Sequence, residues 1–162
     1  MNPEEPIPRA AYAWPTVELD PVSRMRILAA GLPHVAIDET VFDVSFERLW
    51  SFIADLEANV PRFETAVRRL HIAHRDGDRL RLETRTPMGL RVDFDCVLRP
   101  GWCVMSSSRG QVGMAARPEG EARTRFVHFE RSSFLPRLGR PFFEWNIRQD
   151  FRRIRALVGE AD

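Results

Sequence analysis

The chain has 162 residues, a formal net charge of +1 and a hydrophobic fraction of 44%, which together indicate one ordinary globular domain. The near-neutral charge gives no reason to expect nucleic acid as a partner, and no apolar run approaches the ~20 residues of a membrane-spanning helix. The N-terminus MNPEEPIPRA is acidic and rich in proline, without the apolar centre of a secretory signal, so a cytoplasmic location is expected.

The first predicted element is a short helix that follows a proline-rich arm. Residues 1–19 carry several prolines and no steady period. The stretch DPVSRMRILAAGLP has an aspartate suited to the N-cap, a proline in the first turn, and a glycine and a proline at its end. We therefore predict an arm with a short helix over 1–33, and a ligand-binding domain over 34–160.

The main domain is predicted to contain a strand, a pair of helices, six strands and a long closing helix. HVAIDETVFDVS predicts a strand, and FERLWSFIADLEAN predicts an amphipathic helix that a proline at position 61 should end. A short second turn or helix is expected around residues 62–65. From residue 66 to 134 the period is two, and DGD, PMG, PG and PEG separate six strands of an antiparallel meander. RPFFEWNIRQDFRRIRALVGE then predicts a helix of about 27 Å with one apolar stripe.

Hairpin register predicts which side chains share a face of this sheet. A three-residue loop at PMG pairs Thr84 with Val92 and Leu82 with Phe94 on an apolar face, and it leaves arginine, aspartate and glutamate on the other. The same loop length at DGD would put His74 on the apolar face as well.

The last strand carries the stretch RFVHFE, in which a histidine and a glutamate two positions apart share a face. A three-residue loop at PEG pairs Val112 with Phe126, so that His128 and Glu130 follow Phe126 onto the inner face unless a bulge intervenes. Ser106 is predicted to face inward only if the loop at PG also has three residues.

The residue types limit the chemistry that the chain can perform. All 24 basic residues are arginine, which excludes a lysine nucleophile and leaves proton transfer to His, Asp, Glu, Tyr or Cys. The histidines lack HExxH spacing, and the cysteines form no CxxC pair. We expect no metal site and no cofactor. A disulfide is also disfavoured, because Cys96 should pair near Met105 or Ser106 and not with Cys103.

This order of elements resembles the START/SRPBCC superfamily, also called the birch-pollen-allergen-like or helix-grip fold. The resemblance rests on the opening strand with FERLWSFIADLEANVPRFETAV, on FVHFE, and on FFEWNIRQDFRRIRALV, and it covers about residues 34–158. Within the superfamily the chain looks most like bacterial polyketide cyclase/dehydrase and lipid-transport domains. The resemblance implies an α+β fold in which a seven-stranded antiparallel sheet wraps around the C-terminal helix, with a cavity for hydrophobic ligands between them.

The resulting expectation is a domain that binds a hydrophobic or polycyclic small molecule. If His128 and Glu130 face the cavity, cyclase- or aromatase-type activity is expected, with His128 as general acid/base and Glu130 orienting it or polarising a carbonyl. The residues expected to contact the ligand are Leu82, Thr84, Val92, Phe94, Ser106, Ser108, Phe126, Phe143, Asn146 and Ile147.

Other interpretations remain open at the level of sequence. His128 could be an ordinary hydrogen-bonded core histidine, with Glu130 paired to an arginine at the rim. Asn146 and Asp150 lie one helical turn apart and could face the cavity or form the boundary between helix and sheet. The chain could also be a non-enzymatic carrier or sensor, or an interaction module with a filled core that acts through its charged outer sheet. The sequence does not indicate an oligomeric state.

Overall fold

The predicted order of elements is confirmed in a computed structural model, which describes residues 17–133 and 139–159. Residues 1–16 of the predicted arm lie outside the described residues. In chain order the elements are α1 (Pro21–Ala30), β1 (Ala36–Phe42), α2 (Phe46–Ala54), α3 (Leu56–Phe63), β2 (Arg69–Asp76), β3 (Arg79–Arg85), β4 (Arg91–Arg99), β5 (Trp102–Ser107), β6 (Gly110–Pro118), β7 (Thr124–Ser132) and α4 (Arg140–Gly159).

The seven strands form one antiparallel sheet in the order β1-β7-β6-β5-β4-β3-β2. Its concave side holds α4, whose apolar stripe is buried at Ile147, Phe151 and Ile154. Burying each of these side chains contributes roughly 1.5–3 kcal/mol, so the stripe fixes the helix against the sheet. The arrangement is the expected α+β helix grip. Within the described part of the chain, no helix combines the length and apolarity needed to cross a membrane.

Side-chain caps explain where the short helices begin. The carboxylate of Asp20 accepts a hydrogen bond from the Ser23 amide at 3.1 Å and starts α1. Ser45 caps α2 in the same way. The two helices of the predicted pair are separated at Asp55, because its backbone leaves the helical region and its side chain caps α3. The predicted stop at Pro61 is wrong, since α3 continues two residues beyond it.

The convex side of the sheet is covered in part by α1. Met25 of this helix packs with Val127 and Phe129 of β7, the two apolar side chains that point away from the main core. Gly113 of β6 makes the approach possible, because a Cβ there would lie 2.1 Å from the Phe129 ring and 2.8 Å from the sulfur of Met25. The helix therefore has its own small core on the outer sheet.

Strand register confirms some predicted pairs and corrects others. Thr84 pairs with Val92 and Leu82 with Phe94, as predicted. At the β2–β3 hairpin the turn has two residues, and a bulge follows Ile72. These two changes put His74 opposite Arg81 on the exposed face, so its predicted inward position is wrong.

The hairpins on either side of β5 and β6 also differ from the prediction. The turn between β4 and β5 has two residues, which pairs Ser106 with Asp95 on the outer face. The predicted pairing of Val112 with Phe126 is wrong, because the β6–β7 loop covers residues 119–123 and Val112 pairs with Glu130. The shift is four positions, an even number, so the faces of β7 stay as predicted.

Candidate functional site

A cavity of about 220 Å³ lies between the concave face of the sheet and helices α3 and α4. Most of its wall is apolar, formed by Val60, Phe63, Ala66, Val67, Leu70, Val92, Phe94, Met105, Val112, Met114 and Phe143. His128 and Glu130 of β7 and Glu64 at the end of α3 form a buried polar cluster in this wall. The other polar lining residues are Thr84, Thr86, Ser107, Arg109, Gln111, Arg131 and Ser132. The cavity thus combines an apolar surface with one polar cluster, as ligand sites in proteins commonly do.

Three elements bring the polar cluster together. Alternation along β7 points both His128 and Glu130 at the concave side, and the helical repeat of α4 points Asn146 and Asp150 toward them. Glu64 follows the last residue of α3 and reaches the same point. All five side chains are buried, with at most 9% of their surface exposed.

His128 sits between two carboxyl groups without a hydrogen bond to either. Its Nε2 lies 3.6 Å from Oε1 of Glu130, and its Nδ1 lies 4.0 Å from Oδ2 of Asp150. Both distances are too long for a hydrogen bond, and neither nitrogen has another partner among the described residues. Burial lowers the pKa of His128 to about 3, so the ring is neutral at physiological pH.

Burial favours the protonated form of both carboxyl groups beside the ring. Burial, reinforced by the Glu64 carboxyl, raises the pKa of Glu130 well above its ordinary value. Burial together with Glu64 and Glu130 raises the pKa of Asp150 to about 10, although the Arg153 guanidinium opposes this rise. Because the His128 ring is neutral at physiological pH, its contacts with these two carboxyl groups are not ion pairs.

Hydrogen bonds hold the outer members of the cluster in place. The Asn146 amide donates to Oε1 of Glu130 at 3.1 Å and to Oε1 of Glu64 at 3.3 Å. Arg153 donates to Oδ1 of Asp150 at 3.0 Å and to the backbone carbonyl of Phe63 at 3.0 Å. The carboxyl groups are thus oriented by α3 and α4, while the imidazole remains available.

The same cluster is where a cation would be sought. His128, Glu130 and Asp150 offer ligand atoms that all lie within 4.8 Å of one another. Each ring nitrogen faces a different carboxyl group, however, so an ion on one nitrogen would lie away from the carboxyl that faces the other. The arrangement suits proton transfer through the ring better than the collection of three ligands around one ion.

The structure places the predicted ligand contacts in three groups. His128, Glu130, Thr84, Val92, Phe94 and Phe143 line the cavity. Leu82, Phe126, Asn146 and Ile147 are buried in the core but do not line the cavity. Ser106 faces outward, and Ser108 lies in the β5–β6 turn, exposed to solvent. The inward placement of these two serines is therefore wrong, and the two-residue turn at Pro100 and Gly101 is the reason.

Sequence reasoning did not select Glu64 or Ser107, both of which line the cavity. Ser107 is the inward neighbour of the predicted Ser106, so a correct turn length would have identified it. The four-residue spacing of Asn146 and Asp150 was a signal for their shared face. Nothing in the sequence around Glu64 distinguishes it, because it reaches the cluster only through the path of the chain after α3.

No protein-family model and no curated protein matches the chain. Several solved structures do match in fold. A START superfamily protein from Mycobacterium smegmatis is 16% identical, with a TM-score of 0.57, covering 79% of this chain and 99% of that one. The Zhui aromatase/cyclase from a Streptomyces species is 10% identical, with a TM-score of 0.57 and coverages of 78% and 92%. The chain has the START/SRPBCC fold.

A third structure extends this fold comparison to a plant protein. Norcoclaurine synthase from Thalictrum, solved as a point mutant, is 15% identical, with a TM-score of 0.54 and coverages of 78% and 94%. At such identities the likeness concerns the fold, and no residue of the START-like domain described here gains a role from it.

Proposed function

We propose that this START-like domain binds a hydrophobic small molecule with an aromatic or lipid-like body, and that His128 and Glu130 contact a polar group of that molecule. The observation that carries the proposal is a mostly apolar cavity with a buried imidazole in its wall that has no hydrogen-bond partner within residues 17–133 and 139–159. Leaving such a group unsatisfied costs roughly 1–3 kcal/mol, and a ligand that bonds to it would remove this cost.

The size of the cavity limits the ligand. An apolar cavity of about 150 Å³ holds benzene, so the 220 Å³ found here suits one or two rings, or a short alkyl chain. A larger polycyclic molecule would have to extend through the mouth. The cavity also weighs against an interaction module with a filled core.

The cluster pairs a base with an acid for chemistry on a carbonyl compound. Burial makes His128 a weak base, with a pKa of about 3, so it can accept a proton from a carbon next to the carbonyl only when the bound molecule stabilises the charged ring. Burial favours the protonated form of Glu130, which can donate a hydrogen bond or its proton to the carbonyl oxygen. The product is an enol, the nucleophile that closes a ring by attack on a second carbonyl. Cyclase- or aromatase-type activity is the form of catalysis that this pairing supports.

The first experiment identifies the ligand. The protein is purified from its native host and gently denatured, and the released small molecules are analysed by mass spectrometry. One aromatic or lipid-like compound per chain would support the proposal and name the compound class to test for turnover. If no such compound is found and a neutral hydrophobic dye does not bind, the result would favour an interaction module with a filled core.

A second experiment separates catalysis from carriage. On an identified substrate, His128→Gln and Glu130→Gln should each lower turnover far more than they lower binding, because both variants keep the volume of the site. His71→Gln is the matched control, since His71 is exposed on the outer face. Equal losses of binding and turnover, or binding without turnover in the wild type, would favour a carrier or sensor.

A further inference from the structure

The outer face of the sheet brings three arginines into one row beside the cavity mouth. Arg85 of β3 is directly opposite Arg69 of β2 on one side and Arg91 of β4 on the other. Like charges in directly opposed positions destabilise a sheet, so a row of three requires compensation.

The available carboxylates compensate only one end of this row. Arg91 pairs with Glu83 at 2.9 Å and with Asp93 at 2.8 Å. Glu57 lies near Arg69, but its Oε1 already accepts from the backbone amide of Ile72 and contacts the ring of His71, each at 2.7 Å.

The middle of the row and a residue beside it, Arg85 and Arg68, have unpaired positive charge. Across residues 17–133 and 139–159, neither Arg85 nor its neighbour Arg68 makes an ion pair or a side-chain hydrogen bond. These two guanidinium groups are exposed and free to turn toward a ligand.

These arginines surround a groove that adjoins the ligand cavity. The groove has a volume of about 340 Å³ and is lined by Arg68, Arg69, Arg85, Thr86 and Gly89. Thr86 also lines the cavity, and so do the two residues that precede Arg68 in the chain. An elongated molecule could therefore have one end among the arginines and the other in the cavity.

We infer that the groove lined by Arg68, Arg69 and Arg85 binds the anionic head, a carboxylate or a phosphate, of the ligand whose apolar body enters the cavity. The inference rests on the proposed function and narrows its ligand to an amphipathic anion. Guanidinium groups suit both heads, because each can donate two parallel hydrogen bonds to a pair of oxygens.

The test compares three probes with the same alkyl tail: octanol, octanoate and octyl phosphate. Their affinities are measured by displacement of a neutral hydrophobic dye at low salt, for the wild type and for Arg68→Gln and Arg85→Gln. Arg79→Gln is the matched control, because Arg79 lies on the same strand and the same face at the other end. Inorganic phosphate alone is the fourth probe, and its thermal shift is compared with that of octyl phosphate, each against equal ionic strength of chloride.

We expect octanoate and octyl phosphate to bind the wild type about five- to tenfold more tightly than octanol, which is what one or two exposed charge contacts provide. Arg68→Gln and Arg85→Gln should each remove much of this advantage and leave the affinity for octanol unchanged, whereas Arg79→Gln should change neither. The unchanged affinity for octanol also shows that the variants fold.

Two results would overturn the inference without touching the proposed function. One is that octanol binds as tightly as octanoate and octyl phosphate, or that the tighter binding of these two anions survives both Arg68→Gln and Arg85→Gln. The other is a shift by inorganic phosphate as large as that by octyl phosphate, which would assign the groove to a free anion. Failure of all three tailed probes to displace the dye would instead contradict the proposed function.

Discussion

Asp150 and His128 lie next to each other in the core, with Oδ2 of the aspartate 4.0 Å from Nδ1 of the histidine, and neither atom has a hydrogen-bond partner among the described residues. Each unsatisfied buried group costs roughly 1–3 kcal/mol, so the pair does not serve stability. Groups that are kept at such a cost are more common at functional sites than elsewhere. The arrangement therefore supports a role for the polar wall of the cavity.

His128 should make the protein sensitive to acid. Its pKa is about 3 in the folded protein and 6.5 as an ordinary histidine, so the unfolded chain takes up the proton first as the pH falls. The stability that comes from the neutral ring is complete above about pH 6.5 and is lost between there and about pH 3, by up to roughly 5 kcal/mol. His128→Gln removes this dependence, and urea unfolding at several pH values measures it.

His74→Gln is the control for this experiment, because that ring is exposed. Its unfolding curve should shift with pH as the wild type does. Parallel wild-type and His128→Gln stabilities across the acid range would show that His128 is not buried in its neutral form.

Asp150 should make the protein less stable as the pH rises. Its pKa rises from the ordinary 3.8 to about 10 on folding, so the stability from the protonated form is complete below about pH 4 and declines toward pH 10. Asp150→Asn keeps the shape and cannot ionise. Between pH 6 and pH 9, the Tm of the variant should rise relative to that of the wild type by at least about 3 °C.

The exposed Asp95 offers the matched variant, Asp95→Asn, which should follow the wild type throughout. If Asp150→Asn instead became less stable relative to the wild type as the pH rose, the native carboxyl would be ionised. Its ion pair with Arg153 would then outweigh the effect of burial.

The fold could be predicted from the sequence because period, turn residues and caps agreed along most of the chain. Thr84 opposite Val92 was correct, since PMG left only one plausible loop. Ser106 and His74 were wrong because turns of two and three residues look alike in sequence, and a bulge leaves no clear signal. His128 lies on its predicted face only because the register of β6 against β7 differs from the prediction by four positions, an even number.

The candidate site was less predictable for a physical reason. Its polar cluster joins residues far apart in the chain, from the end of α3, from β7 and from α4. Alternation on one strand identified His128 and Glu130. The contact with Glu64 depends on how α3 crosses the sheet, which no local pattern contains.

Gly113 should be essential for the contact between α1 and the sheet. A methyl group there would meet the Phe129 ring and the sulfur of Met25, so that the ring, the helix or both must move. Gly113→Ala should lower the free energy of unfolding by roughly 1–3 kcal/mol, as overpacking in a core does. Gly159→Ala is the control, because its Cβ would meet no atom within 4 Å. Equal stabilities for the two variants in urea unfolding would mean that α1 is not docked there.

The two cysteines should remain reduced and unreactive in the native protein. Their sulfurs are 3.8 Å apart on neighbouring strands, well beyond the bonding distance of about 2 Å, and both thiols are free and buried. Contact with the Cys96 thiol and burial raise the pKa of Cys103, which lowers its thiolate fraction further.

Ellman's reagent should therefore titrate neither thiol in native buffer and both in concentrated guanidinium chloride. Ser108→Cys, at an exposed turn, should add one fast-reacting thiol and serve as the positive control. A native thiol that reacted as fast as this one would show that β4 and β5 open in solution, while a failure to titrate both after unfolding would indicate a disulfide.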